Sequence, residues 1–257
     1  MTTTTTFKTV TLFRSLATSS RMRRIPREDE GILYPGHIPT SALQKTILAL
    51  GSSVIGLSDP WRSDMVAVSG EVTAGSFQAL AKIRARMAST PEGRLILEHR
   101  PRISSQTVDL AQLRNLPEGS LGRSYVNYND YHGISPDSRA QVQFVDDEEL
   151  AYVMQRYREV HDLMHAILDL PTNMVGEVLV KWVEGLQTGL PMCVGGAILG
   201  PVRFNAKQTR RFKALRPWAV QVGLNARFLM GVYFERRWDQ DLGDFRREMR
   251  IADQPLI

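Results

Sequence analysis

The chain contains a single cysteine, Cys193, in 257 residues. No intramolecular disulfide can form, which fits a reducing compartment and excludes a disulfide scaffold, an iron–sulfur site and a cysteine-rich zinc site. No uninterrupted apolar run reaches about 18 residues, so a conventional membrane span is not expected. Alternating β-type patterns are sparse and no internal repeat is evident. Acids are missing from residues 1–27, the first being Glu28. Histidine is scarce too, with five in the chain.

What is present is a core-forming composition, 43% hydrophobic and 23% charged, in a length suited to one large domain or two small ones. The net charge of +5 is unevenly spread. Residues 1–27 hold six basic residues (Lys8, Arg14, Arg21, Arg23, Arg24 and Arg27) and eleven Ser or Thr. On a helix at about 100° per residue, Val10, Leu12, Phe13, Leu16 and Ala17 share one side. A basic, hydroxylated, acid-free amphipathic start reads as a mitochondrial transit peptide; a plain disordered tail is the competing reading. The expected layout is therefore a transit segment over 1–27 and one domain over 28–257. Residues 28–202 hold 14 basic and 21 acidic residues, and 203–250 hold 12 and 5. The body is near neutral and polarised, with no interleaved basic–aromatic patch and no zinc-finger spacing, so no nucleic-acid partner is expected. The basic C-terminal stretch either faces anionic lipid or an acidic partner, or is a solvated face balancing the acidic body.

Helical patterns dominate after an irregular arm from Glu28 to Pro39. Thr40 or Ser41 can cap a helix to about Gly56, and Asp59 another with Pro60 at its first position. Phe77, Leu80, Ala81, Ile83 and Met87 show helical spacing, and Thr90-Pro91-Glu92 opens a short helix. Further short helices are predicted over 107–115 and 117–131. Asp146 to Glu149 place four acids at the start of a helix running to about Leu168, where the helix dipole favours them. Pro171 opens the next, to about Gly189. Leu190 to Pro201 is apolar and glycine-rich, and two or three basic helices follow. The predicted fold is a single all-α domain.

The chemistry concentrates in His161-Asp162-Leu163-Met164-His165, with Glu177 after a gap of eleven residues. On a helix His161, Asp162 and His165 fan over one face, and an antiparallel helix pair would bring Glu177 back over it. Two imidazoles and two carboxylates offer a mixed nitrogen–oxygen site suited to Zn²⁺ with a position left open. The zinc-protease pattern H-E-x-x-H is related, but Asp162 replaces the Glu that serves as base there, which disfavours a peptidase. A pair of surface histidines with a stray acid is the plain alternative. Arg158 falls on the same face one turn earlier; it either receives a substrate carboxylate or phosphate, or pairs with Asp162. Lys181 and Glu184 lie one and two turns beyond Glu177, and either supports a ligand from behind or, more simply, forms a solvated helix face. Leu190 to Pro201 reads either as the wall of an apolar channel or as a tight helix contact, and Cys193 as a buried small residue.

The run Tyr152-Val153-Met154-Gln155-Arg156-Tyr157-Arg158-Glu159-Val160-His161-Asp162-Leu163-Met164-His165 resembles the signature helix of the mitochondrial ubiquinone (coenzyme Q) biosynthesis protein 4 family. The resemblance continues through Pro171-Thr172-Asn173, Gly176-Glu177, Lys181-Trp182, Gln187 to Met192 and Tyr233 to Trp238, and upstream through Leu33 to Thr40 and Arg100 to Ile103. It covers essentially Tyr34 to Arg250. It implies an all-α fold and a zinc set of His161, Asp162, His165 and Glu177. It also implies a peripheral position on the matrix face of the mitochondrial inner membrane, within a complex of ubiquinone-biosynthesis enzymes. The implied reaction removes the ring carboxylate of 4-hydroxy-3-methoxy-5-polyprenylbenzoate to give 2-methoxy-6-polyprenylphenol, simply or oxidatively. For that reaction the mixed site suggests that a bound water, or Glu177 once off the metal, would relay the proton, and that Arg158 would hold the carboxylate. A lipid-binding scaffold for the same pathway is the alternative role that the resemblance leaves open.

Overall fold

The computed structural model describes residues 31–59, 62–76 and 78–255. The proposed transit segment 1–27, Pro60 and Phe77 lie outside them. The described residues form eleven α-helices and no strand, with only an isolated antiparallel bridge between Ser120 and Asp241. The all-α prediction therefore holds.

Helix starts follow side-chain capping more closely than proline. Ser41 caps α1 (Ala42–Ser58) in a capping box with Gln44, and Thr90 caps α4 (Pro91–His99). Between them lie α2 (Ser63–Ser76) and α3 (Ala79–Ala88). Asp59 was expected to open a helix; its backbone N–H instead closes α1 on Ile55 O. After α5 (Leu110–Arg114), Ser120 rather than Pro117 opens α6 (Leu121–His132). Asp147 caps α7 (Glu148–Leu168), whose first turn carries Glu148 and Glu149 as the dipole argument required. Asn173, not Pro171, opens α8 (Met174–Thr188), its Oδ1 accepting from the N–H groups of Val175 and Gly176. An Asx side chain satisfies two free N–H groups there, which a proline two residues earlier cannot do.

The apolar stretch after Gly189 folds as α9 (Pro191–Leu199), followed by α10 (Ala206–Asn225) and α11 (Leu242–Glu248). Gly196 and Gly200 serve helix packing. A Cβ on Gly200 would lie 2.5 Å from Val178 Cγ2, and Gly196 faces Lys181 Cγ at 3.4 Å. The tight-contact reading of this segment wins over the channel wall.

Helix α7 is the axis of the molecule, buried on every side from Ala151 to Leu168. α3, α6 and α8 pack directly against it. Its apolar residues Val153, Met154, Val160, Leu163 and Ile167 join the main core with Tyr125, Leu179, Val180 and Phe234. It ends on Asp169 in the left-handed conformation (φ 52°), and Leu170 N–H returns to His165 O. The connection to α8 is thus only 169–173.

Gly176 makes that short connection possible. A Cβ there would sit 1.9 Å from the Pro171 carbonyl oxygen, which is backbone and cannot swing aside. Gly176→Ala is therefore expected to destabilise the fold by about 1–3 kcal/mol in denaturant titration, as overpacking does. Gly195, inside α9, has nothing within 4 Å of its Cβ position. Gly195→Ala should stabilise slightly, by up to about 1 kcal/mol. Equal effects at the two positions would overturn the close-approach account.

Candidate metal centre

His161 and His165 stand one turn apart on α7, and Glu177 lies in the first turn of α8. Each offers one ligand atom, and these atoms lie within 4.8 Å of one another. Glu177 Oε2 is 3.5 Å from His161 Nε2, and Oε1 is 3.4 Å from His165 Nε2. The imidazoles are edge-to-face, with centroids 4.9 Å apart at 88°. Both are buried, while the Glu177 side chain is 38% exposed and opens the cluster to solvent.

The outer ring nitrogens fix the tautomers. His165 Nδ1 is 2.9 Å from Leu170 O, a carbonyl that can only accept, so Nδ1 carries the proton and Nε2 presents a lone pair. His161 Nδ1 is 2.7 Å from Glu184 Oε1, and the same reasoning leaves its Nε2 unprotonated. A histidine that donates its remaining N–H to a carbonyl or carboxylate has the usual arrangement of a metal ligand. His165 Nε2 is fully buried and has no hydrogen-bond partner. Such an orphaned nitrogen costs about 1–3 kcal/mol unless something accepts its lone pair. A cation among two imidazoles and a carboxylate does so, and the donor set suits zinc. The residues present therefore fit the implied metal.

Without an ion the electrostatics favour a proton between His161 and Glu177, which an incoming cation would displace. Burial opposes ionisation of Glu177, but hydrogen bonding and charge from His161 and His165 outweigh it and hold the carboxyl well below its usual range. Burial and Lys181 pull the His161 imidazole down, whereas Glu184 and Glu177 lift it, with a net upward direction. Burial pushes the Cys193 thiol up to about 12, so it stays protonated and is neither nucleophile nor thiolate ligand.

Two expected members are placed elsewhere. Asp162 directs both carboxylate oxygens at Arg139, with Nε to Oδ2 at 3.1 Å and a second bond from Nη2 to Oδ1. Arg158 donates to Glu71 Oε1 at 2.6 Å, to Ala67 O at 2.9 Å and to Ala140 O at 2.8 Å. Its guanidinium is buried and committed to α2 and the 140 segment, so it does not stand at the cluster. The expectation failed for a geometric reason. Asp162 is turned about 60° from His165, and Arg158, only about 20° from it, stands nearly two turns nearer the helix start, so each meets a different neighbour.

Of the two readings of Lys181 and Glu184, the solvated face does not hold: Glu184 is buried and Lys181 mostly covered, directly behind His161. The missed signal was spacing: 177, 181 and 184 share one stripe of α8, as 157, 161 and 165 share one of α7. Tyr128, on α6, was also missed. It stacks on His165 with centroids 6.0 Å apart and donates to the same Leu170 carbonyl at 2.9 Å. Beyond it lies a surface depression of about 540 Å³ lined by Tyr128, His132, Asp169, Leu170 and Arg246, which none of the three candidate ligands reaches.

The chain matches the family model described as coenzyme Q (ubiquinone) biosynthesis protein Coq4 over residues 34–255. It is 53% identical over 231 residues to the Xenopus laevis protein named ubiquinone biosynthesis protein COQ4 homolog, mitochondrial, covering 90% of this chain and 81% of that one. It is 51% identical over 234 residues to the human protein of the same name, covering 91% and 88%. A crystal structure of a Nostoc punctiforme protein with a provisional ubiquinone-biosynthesis name superposes with TM-score 0.63 at 20% identity, over 81% of this chain and 99% of that one. That likeness is one of fold.

Arg158→Met should leave Glu71 buried with only the backbone N–H groups of Gln143 and Phe144 as donors. A stability loss of about 3–5 kcal/mol is expected, with the metal content of the surviving folded protein unchanged. A variant of normal stability that loses only substrate turnover would restore Arg158 to the site.

Proposed function

Because the chain belongs to the coenzyme Q (ubiquinone) biosynthesis protein Coq4 family, we propose that it is a zinc-dependent lyase of ubiquinone biosynthesis, removing the ring carboxylate of 4-hydroxy-3-methoxy-5-polyprenylbenzoate. The observation that carries this reading is the buried, unpartnered Nε2 of His165 beside Glu177 and His161. His161, His165 and Glu177 would hold the ion, and Asp162 keeps Arg139 at the edge. Bound there, zinc supplies a Lewis acid with open coordination for a carboxylate or ring oxygen.

The chain's own residues set the rest. The two Nδ1 protons are committed to Glu184 and Leu170, so the imidazoles do not donate into the site. Glu177 lies on the solvent side, where, released from the ion, it would pass a proton inward. The carboxylate is para to the ring hydroxyl. The phenolate pushes electron density to the carboxyl-bearing carbon, which takes up a solvent proton relayed by Glu177, and the C–C electron pair then returns to the ring and its oxygen as CO₂ leaves.

The curated relatives carry mitochondrial names, and the acid-free basic segment 1–27 supports the same address here. We place the protein peripherally on the matrix face of the inner membrane, with the other enzymes of the pathway. No helix among the described residues is long and apolar enough to cross a membrane. From 185 to 234 the sequence has seven basic residues and no acid. Lys207, Arg210, Arg211 and Lys213 of α10 are exposed, and in the sequence just before them so are Ile198 at 60% and Val202 at 82%. Apolar tips flanked by cations suit an anionic lipid surface.

Zinc content and turnover of the prenylated hydroxybenzoate, with product mass, test the reaction. His161→Ala and His165→Ala should abolish both together. Restoring zinc at about 100 times its Kd to chelator-stripped wild type should add about 2.7 kcal/mol of stability. Product formed at undiminished rate by zinc-free protein overturns the catalytic role. A zinc-free variant that still assembles its partners but makes no product separates catalysis from the scaffolding role.

Flotation with phosphatidylcholine–cardiolipin vesicles tests the surface. Reversing Lys207, Arg210 and Arg211 to Glu should weaken binding by at least fivefold per position, from about 1 kcal/mol per cation. Unchanged binding would place the membrane contact elsewhere.

A further inference from the structure

Glu184 is a carboxylate with almost no access to water, and its two oxygens do different things. Oε1 accepts from His161 Nδ1 at 2.7 Å. Oε2 accepts from the Tyr157 hydroxyl at 2.7 Å, from Lys181 Nζ at 2.9 Å and, at 3.6 Å, from the Cys193 thiol. Lys181 Nζ also donates to Tyr157 Oη at 2.9 Å, closing a triangle behind the carboxylate. Tyr157, Glu184 and Cys193 are all buried.

A carboxylate needed only to neutralise Lys181 has no reason to turn one oxygen away from it towards an imidazole. The division of labour has a consequence at the other end of the ring. Free imidazole favours the proton on Nε2, the tautomer that cannot ligate through that nitrogen. A fixed acceptor at Nδ1 reverses that choice and stops the ring from turning about its Cβ–Cγ bond. His165 obtains the same service from the Leu170 carbonyl, which the backbone holds in place. Glu184 is a flexible side chain and needs holding. Tyr157 and Lys181 do this, and Lys181 balances the buried negative charge.

We propose that Glu184 is a positioning residue that sets the tautomer and orientation of His161, and that Tyr157 and Lys181 fix Glu184 for this task. The proposal rests on reading His161 as a metal ligand, and its test is built to separate the two.

The full-length protein is compared with Glu184→Gln and with the double variant Glu184→Met/Lys181→Met. The double variant removes the buried ion pair at similar volume, a replacement that cores tolerate. Zn²⁺ affinity is measured by chelator competition, and histidine tautomers in the metal-free proteins by long-range ¹H–¹⁵N NMR. In wild type both His161 and His165 should carry the proton on Nδ1. In the double variant His161 should shift to Nε2 protonation or a mixture while His165 stays as it is. Zn²⁺ affinity should fall by about 10–100-fold, with the melting temperature kept. Glu184→Gln, which retains a neutral acceptor, should lose less on both measures, and it carries the test if the double variant does not fold. A folded variant that keeps His161 on Nδ1 and binds Zn²⁺ within twofold of wild type overturns the proposal. If wild type binds no Zn²⁺, the metal reading fails, and the tautomer shift alone still decides the role of Glu184.

Discussion

One constraint organises this molecule: α7 is buried all round from Ala151 to Leu168, yet seven residues of that stretch are polar or charged. Gln155, Arg156, Arg158, Glu159, His161, Asp162 and His165 are all inside. An unpaired buried charge costs several kcal/mol, so each must find a partner on the element it happens to face. Gln155 accepts from Val142 N–H, and Arg156 reaches Glu235 and Val232 O. Glu159 takes Arg102 and the Ile103 N–H. Arg158 takes α2, Asp162 takes Arg139, and His161 takes α8. Segments that lack regular structure, such as 101–103 and 139–145, are held down because they supply these partners.

Within that scheme the two histidines are exceptional. Arg156 leaves only its Nε without a partner while both Nη atoms are bonded, whereas the unpartnered Nε2 of His165 lies beside a carboxylate. The two imidazoles are tied at their outer nitrogens and turn their inner ones towards the Glu177 carboxylate. Rigid packing around the ligands means that little must reorganise when an ion enters, a condition for a well-defined site.

The helical character, the capped start of α7 and the pairing of His161, His165 and Glu177 were legible in the sequence, because they depend on period and on capping chemistry. What was not legible depends on neighbours. Arg158 and Asp162 lie near the histidines on a helical wheel, and a wheel says nothing about which element covers each sector. On an ordinary surface helix the misplaced pair would have shared one face; on a fully enclosed one they meet α2 and Arg139 instead. Pro171 misled for a related reason, since a proline signals a permitted helix start whereas Asn173 supplies a bonded one. Glu184 and Lys181 look like an ordinary i, i+3 surface pair, and only the tertiary fold turns their side inward. The role of Leu170 is carried by a backbone oxygen, which no residue type announces.

The Leu170 carbonyl accepts from both His165 and Tyr128, and it sits in a connection of five residues, 169–173. That connection acts as a gauge block between two helices. Lengthening it by one residue would rotate α8 by about 100° about its axis and carry Glu177 away from the imidazoles. It would also slide the shared oxygen from beneath the ring. Length variation in this lineage should therefore accumulate freely in peripheral loops and be intolerable here, where chain length sets the aperture of the site.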